Sequence, residues 1–415
     1  MNKKLISPDF FPNFENDDYL LIKKILKDRN SWQKGRELEF LNYELKKFFP
    51  KGEIFLFTTE RGALEYFLKF YLRKTNQKKV GIQAFTCFVV PKAIINAGGT
   101  PVYIDIGKGC LNFTKKELEE ILKNHPDLSI IILQNTFGVP NNLNQIIDIL
   151  KEKNIFIIEN LAHSFGGKIN NIYLGNNGQV ALVSLGRSKV ISSIFGGVLI
   201  INDKDLAEEF KKFYNLLNYP NKNFIFRTLS YALAMIKLRN NFSSYGKYLM
   251  YVIRKLNLGV LDISKKERRG ITESYTIKKM PNAFAHLAIL QLRKIFKFSE
   301  HREKITKIYI KEGLIPYSEL VTNAEFYYLR FPLTTLKPHL LIERLKKYNI
   351  YLGNWYDSPL APLKKRLDRF GYYYGMCPNA ENLSLSIFNL PTNILTTPDD
   401  AYLITELIKK YKDGN

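Results

Sequence analysis

What most limits the fold of this chain is a succession of short apolar runs separated by stretches with helical spacing. The runs span 80–83, 102–105, 130–133, 155–159, 180–184 and 198–201. Each is too short for an ordinary helix, and most are rich in Val, Ile and Leu, as expected of strands buried on both faces. Between several of them, apolar side chains recur three and four residues apart. Ala63, Leu64, Phe67, Leu68 and Tyr71 share one helical face, as do Leu143, Ile146, Ile147 and Leu150. Strands alternating with helices predict the α/β class, with a mainly parallel sheet covered by helices on both faces.

These runs place a large α/β domain over residues 51–220. Residues 1–50 read as a peripheral helical segment in front of it. The pattern changes over 221–298, which is expected to hold an inserted helical segment and a linking helix. Within it, Tyr245, Tyr248, Leu249, Val252, Ile253 and Leu256 predict an amphipathic helix over 245–256, with Lys247, Arg254 and Lys255 at other positions. Such a helix packs on the body of the protein or on a second subunit; its basic face also suits weak contact with an acidic membrane surface. Residues 299–415 predict a smaller C-terminal α+β domain, with a strand over 326–331 and a helix over 340–348. Its last helix is announced by Thr397 as N-cap, Pro398 in the first turn, and Asp399 and Asp400 behind it.

A chain of 415 residues is long enough for such a pair of domains. It contains no run of about 18 uncharged apolar residues, the length of a membrane-spanning helix. Its first residues, with Pro8 and Pro12, lack an apolar signal core, so a cytoplasmic location is expected. Three widely spaced cysteines, Cys87, Cys110 and Cys377, fit neither a disulfide framework nor a zinc site. No metal is expected. The formal charge of +23 comes from lysines scattered through almost every segment, which describes a solvated basic surface. No nucleic-acid-binding motif accompanies the charge, and no nucleic-acid partner is expected.

The segments able to do chemistry follow the predicted strands. Ser184 leaves one strand, Lys189 stands five residues on, and Gly196-Gly197 allow close backbone approach before the next. A lysine kept from bulk water beside cations has a lowered pKa and attacks aldehydes. The strand over 155–159 runs into Glu159-Asn160-Leu161-Ala162-His163. Residues 58–64, Thr-Thr-Glu-Arg-Gly-Ala-Leu, open a helix whose free N–H groups suit a phosphate. Polar loops at the carboxyl ends of parallel strands are where such sheets bind ligands.

The order and spacing of these segments resemble the DegT/DnrJ/EryC1/StrS family of pyridoxal 5'-phosphate (PLP)-dependent sugar aminotransferases, of fold type I. Ser184, Lys189 and Gly196-Gly197 match the family's Ser-x-x-x-x-Lys and later Gly-Gly. Residues 159–163 match its Glu-Asp-x-Ala-His/Gln, and Thr59 to Leu64 its Ser-Gly-Thr-x-Ala-Leu turn, with Glu60 and Arg61 where Gly and Thr are commonest. Similar agreement holds for 97–105, 134–140, 280–292 and 377–391, so the resemblance extends over about 30–412.

The resemblance implies a covalent link between Lys189 and the PLP aldehyde, after which Lys189 shuttles a proton between cofactor and substrate carbons. It implies that Ser184 and the backbone N–H groups of Arg61 and Gly62 hold the phosphate, and that His163 contacts the phenolic oxygen. Three positions depart from the family. Asn160 stands where an aspartate faces the pyridine nitrogen. Cys87 stands where an aromatic ring often stacks on the cofactor; Phe85 and Phe88 are the nearby candidates for that role, but their spacing favours neither. Ile277 lies near an asparagine usually offered to the phosphate by a second subunit, for which Lys278, Lys279 or Arg61 is the substitute. The implied reaction moves an amino group from an amino acid to a nucleotide-linked keto-sugar in surface polysaccharide or glycan synthesis, within a homodimer. The rival readings are a catalytically weak PLP- or sugar-nucleotide-binding relative, kept open by Asn160, and a PLP-dependent sugar dehydratase, against which Lys189 argues.

Overall fold

The computed structural model describes residues 4–239, 245–255 and 259–411. Its centre is a seven-stranded sheet. In chain order the strands are β1 (Glu53–Phe57), β2 (Lys79–Gln83), β3 (Thr100–Ile104), β4 (Ile130–Gln134), β5 (Phe156–Asn160), β6 (Val180–Ser184) and β7 (Gly197–Ile201). They lie in the order β1-β7-β6-β5-β4-β2-β3. Neighbours from β6 across to β3 run parallel; β7 alone is antiparallel to both its neighbours. All six runs picked out in the sequence are strands here. The seventh, β1, follows directly on the first helices and was not expected.

Burial on both faces explains why the strands read as continuous apolar runs. Alternate residues feed two different cores. Ile54, Ile131, Ile157, Val183 and Val198 point to one, and Phe55, Ile130, Ile158, Leu182 and Leu199 to the other. Each such side chain contributes roughly 1.5–3 kcal/mol by leaving water. The helix α3 (Glu60–Thr75) covers the second face with Ala63, Leu64, Phe67 and Leu68, as its spacing predicts. The first face is covered by α1 (Asn16–Lys27), α2 (Glu37–Leu45) and the helix Asn282–Leu292.

The N-terminal segment is therefore helical as expected, but not peripheral. Phe14, Ile22, Trp32, Leu41, Leu45 and Phe49 are buried in the sheet's own core.

A third core belongs to the C-terminal part, around the antiparallel pair β8 (Arg330–Thr334) and β9 (Ile387–Pro391). The strand sits a few residues later than its apolar run, because residues 326–329 lie outside the ladder. The helix Pro338–Lys346 begins two residues before its predicted start. The last helix, Pro398–Tyr411, has the expected cap: Asp400 N–H donates to Thr397 Oγ1 at 3.2 Å, and Thr397 N–H to Asp400 Oδ2 at 2.8 Å.

In the inserted region, helices span Lys222–Arg239 and Lys247–Lys255. Ile253 packs against Leu5, Phe11, Tyr231, Met235 and Leu238, while Tyr248, Leu249 and Tyr251 are exposed. Leu256, the last position of the predicted amphipathic stripe, lies outside the described residues. Among the described residues no helix is long and apolar enough to cross a membrane.

Candidate active site

Sheet register brings the polar strand ends together. Gln134 on β4 lies opposite Asn160 on β5, and Ser184 on β6 opposite Gly197 on β7, which itself faces Phe57 just before α3. Gly197 must be glycine, because a Cβ there would fall 2.3 Å from the backbone nitrogen of Glu60. That close approach seats the first turn of α3 beside Ser184. At this end of the sheet lies a cavity of about 140 Å³, walled by Arg61, Cys87, Asn160, His163, Ser184 and Lys189 among others.

Lys189 is carried by the loop between β6 and β7, which several segments hold in place. Leu185 N–H donates to Gly196 O, and Ser193 N–H to Leu185 O, both at 2.9 Å. Asn13 Nδ2 donates to the carbonyls of Lys189 and Val190 at 3.0 and 3.1 Å. Arg187 Nη2 donates to Val260 O at 2.8 Å and stands 3.3 Å from Asp262. The Lys189 ammonium has no ion-pair partner among the described residues, so it is free to react. Burial, and next the Arg330 guanidinium, push its pKa down. This is the environment expected of an amine nucleophile.

His163 is buried beside two rings that also touch each other, 6.0 Å from Phe137 and 6.2 Å from Tyr356 and near parallel to both. Its Nδ1 accepts from Phe137 N–H at 3.2 Å, which leaves Nε2 as the protonated nitrogen. Burial, then Lys189 and Arg330, hold its pKa well below the usual value, so the ring is neutral. Asn160 is fixed through its carbonyl: Oδ1 accepts from Ala162 N–H at 3.0 Å. The amide Nδ2, a donor, has no hydrogen-bond partner among the described residues and is left for the cavity.

Two expectations about the opposite end need correction. Gly62 does not line the cavity; its N–H donates to Thr59 Oγ1 at 3.1 Å, and a Cβ there would meet Thr276 O at 2.0 Å. The cap has claimed the N–H expected to bind phosphate. Arg61 does line the cavity, but its guanidinium is committed to the fully buried Glu267, at 2.5 and 3.1 Å, and to Asp262 O at 2.8 Å. It is therefore not a substitute for a phosphate-binding asparagine. Cys87 is in the wall, its thiol pKa raised first by burial. Phe85 and Phe88 are fully buried elsewhere, against Tyr356 and Phe370, so neither replaces the missing aromatic ring. Trp355 and Tyr356 line the cavity.

The sequence reading also missed wall residues. Glu60, in the wall at the α3 end, has a buried Oε1 without a hydrogen-bond partner among the described residues, and burial raises its pKa. Arg330 reaches in from β8. Its signal was present: an arginine inside an apolar run is costly unless something pairs with it.

The sequence profile of the DegT/DnrJ/EryC1/StrS aminotransferase family matches residues 14–236 and 252–409. The chain belongs to this family. It is a PLP-dependent aminotransferase of fold type I, with its mainly parallel sheet and smaller C-terminal core arranged as the resemblance implied. An uncharacterised protein of Methanocaldococcus jannaschii is 25% identical over 342 residues, covering 80% of this chain and 78% of the other. GDP-perosamine synthase of Escherichia coli O157:H7 is 28% identical over 130 residues, 31% of this chain and 35% of that enzyme. The alignment thus spans about a third of the named synthase. Among solved structures, a putative sugar aminotransferase of Streptococcus pneumoniae in its PLP form superposes with a TM-score of 0.73 at 16% identity, covering 100% and 99% of the two chains.

The residues present suit PLP. A free amine, a donor at Asn160 Nδ2, a neutral His163 with Nε2–H, and the Ser184 hydroxyl surround one cavity. At the α3 end the wall also holds Glu60, a carboxyl whose pKa burial raises.

Proposed function

We propose that this aminotransferase moves an amino group from an amino-acid donor to a keto-sugar carried on a nucleoside diphosphate, for surface polysaccharide or glycan synthesis. The observation that carries the reading is the unpaired Lys189 amine inside the cavity, within electrostatic reach of His163 and Arg330. Bound PLP would supply an aldehyde for covalent attachment and a sink for electrons. The chain's own residues do the rest. Lys189, its pKa pushed down by burial, offers the amine for covalent attachment and would later hold the migrating proton. His163 would donate Nε2–H to the ring oxygen, Ser184 Oγ would hydrogen-bond the phosphate, and Asn160 Nδ2 would donate to the ring nitrogen. The sugar aminotransferases among the relatives support the substrate class, and we expect a homodimer as the working unit.

The test is spectroscopic. Protein loaded with PLP should absorb visibly as the lysine-bound cofactor, and Lys189→Ala should abolish that band while leaving a folded protein. A band that persists in the variant removes the central assignment. Asn160 favours one second reading, a relative that binds PLP with little turnover. Glutamate added to the loaded enzyme should convert the band to the amine form of the cofactor; failure with every amino acid tried, despite bound PLP, favours that second reading.

A further inference from the structure

Residues 210–261 hold nine lysines and arginines and not one aspartate or glutamate. With 39 acids in 415 residues, a stretch of this length would ordinarily carry about five. Its middle, 237–251, lies outside the part of the chain matched to the family, so no shared role accounts for it. Two helices, Lys222–Arg239 and Lys247–Lys255, carry most of the stretch. The first is anchored on both sides: Ile225, Leu229 and Ala232 enter the sheet's core, while Tyr231, Met235 and Leu238 pack with Leu5 and Phe11. The second rests on that smaller patch through Ile253 and turns its other side outward. Tyr245, Tyr248 and Tyr251, three residues apart, are 57%, 72% and 60% exposed, and Leu249 beside them is 43% exposed. Lys222, Lys237 and Lys255 are exposed as well, and none of the three has an ion pair among the described residues.

We propose that this face docks the protein on an acidic membrane surface, with the tyrosines in the headgroup layer and the lysines against anionic lipid. A tyrosine has an apolar body and a polar tip, which suits it to the boundary between lipid and water. Leu249 adds aliphatic surface for the same boundary. The negative potential of an acidic leaflet attracts basic segments close to it, and an acid-free stretch meets that potential without an opposing charge. The helix lies on the surface rather than crossing it, since no described helix is long and apolar enough to span. Charge also selects the occupant. A second copy of this chain would bring a net charge of +23 towards the face, and a symmetric contact would set the same cations against each other. A nucleic acid offers phosphates but no apolar layer for Leu249. Lipid supplies both.

The experiment is co-sedimentation of the full chain with vesicles of phosphatidylcholine alone or of an equal mixture with phosphatidylglycerol. The native chain should bind the mixed vesicles, leave the neutral ones, and come off as salt is raised. Lys237→Gln and Lys255→Gln should each weaken binding roughly fivefold, and Lys337→Gln and Lys365→Gln, outside the stretch, much less. Replacing Tyr245, Tyr248 and Tyr251 together by serine should weaken it at least about tenfold. All these side chains are exposed, so the melting temperature should stay that of the native chain. Failure of the native chain to bind the mixed vesicles overturns the proposal. So does an equal loss from the two pairs of lysines, which traces binding to the overall charge. If the serine variant instead lowers the molecular mass in analytical ultracentrifugation, the face is a subunit contact. If a mixed-sequence DNA duplex binds more tightly than the vesicles and is weakened by the same substitutions, it is a nucleic-acid surface. Either result overturns the lipid assignment.

Discussion

Asparagine at position 160 changes which kind of hydrogen bond the protein offers to a ring nitrogen. Its Oδ1 already accepts from the Ala162 N–H, while Nδ2, a donor, has no partner among the described residues. A donor favours an unprotonated pyridine nitrogen, whereas a carboxylate favours the protonated, more electron-withdrawing ring. Two opposite charges about 4 Å apart interact by roughly 4 kcal/mol at an effective dielectric of 20, enough to govern the rate. Aspartate has the same shape and can keep the Ala162 bond through one oxygen. Asn160→Asp should therefore speed the conversion by glutamate, by about tenfold or more, in stopped-flow traces of the lysine-bound band. An unchanged rate would mean that another group already supplies the charge.

At the scale of elements, the first turn of α3 shows what was legible in the sequence and what was not. The helix was visible from its own spacing, as were the six strands, because burial on both faces is written into local composition. The fate of Gly62 was not. It depends on Thr276, more than two hundred residues away, whose carbonyl accepts from Thr59 Oγ1 at 3.0 Å. The same hydroxyl caps the helix at Gly62. Long-range pairings of this kind have no local signature, and the commitment of Arg61 to Glu267 has none either. Strand β1 was hidden for a related reason: its residues follow directly on the N-terminal helices and lead into α3, so no gap in the pattern set them apart. Arg330 differs, since a charge inside an apolar run was there to be noticed. The double duty of Thr59 yields a prediction. Thr59→Ala should lose about 1–2 kcal/mol of stability, the worth of a good cap, in denaturant unfolding. Thr59→Ser, which keeps the oxygen, should lose much less; equal losses would mean the methyl packing, not the hydroxyl, matters.

For the molecule as a whole, the N-terminal arm ties the separate parts together. Lys4 pairs with Asp400 at 2.7 Å on the last helix, and Asn393 Nδ2 donates to Ser7 O at 2.8 Å. Asp9 meets Arg330, and Asn13 reaches the reactive loop while Gln291 Nε2 donates to Asn13 O at 3.1 Å. One short stretch thus contacts the C-terminal core, the linking helix and the cavity wall, so its order should be coupled to that of Lys189. Asn13→Ala isolates the coupling. It strips the carbonyls of Lys189 and Val190 of a buried donor, a penalty of about 1–3 kcal/mol for each group left unpaired. If the arm positions the lysine, the variant should release PLP faster than the native enzyme, as well as melting at a lower temperature. A lower melting temperature with an unchanged PLP release rate would confine the arm to a structural role. The two measurements separate because the loop can loosen around Lys189 while the sheet, whose cores do not involve Asn13, stays intact.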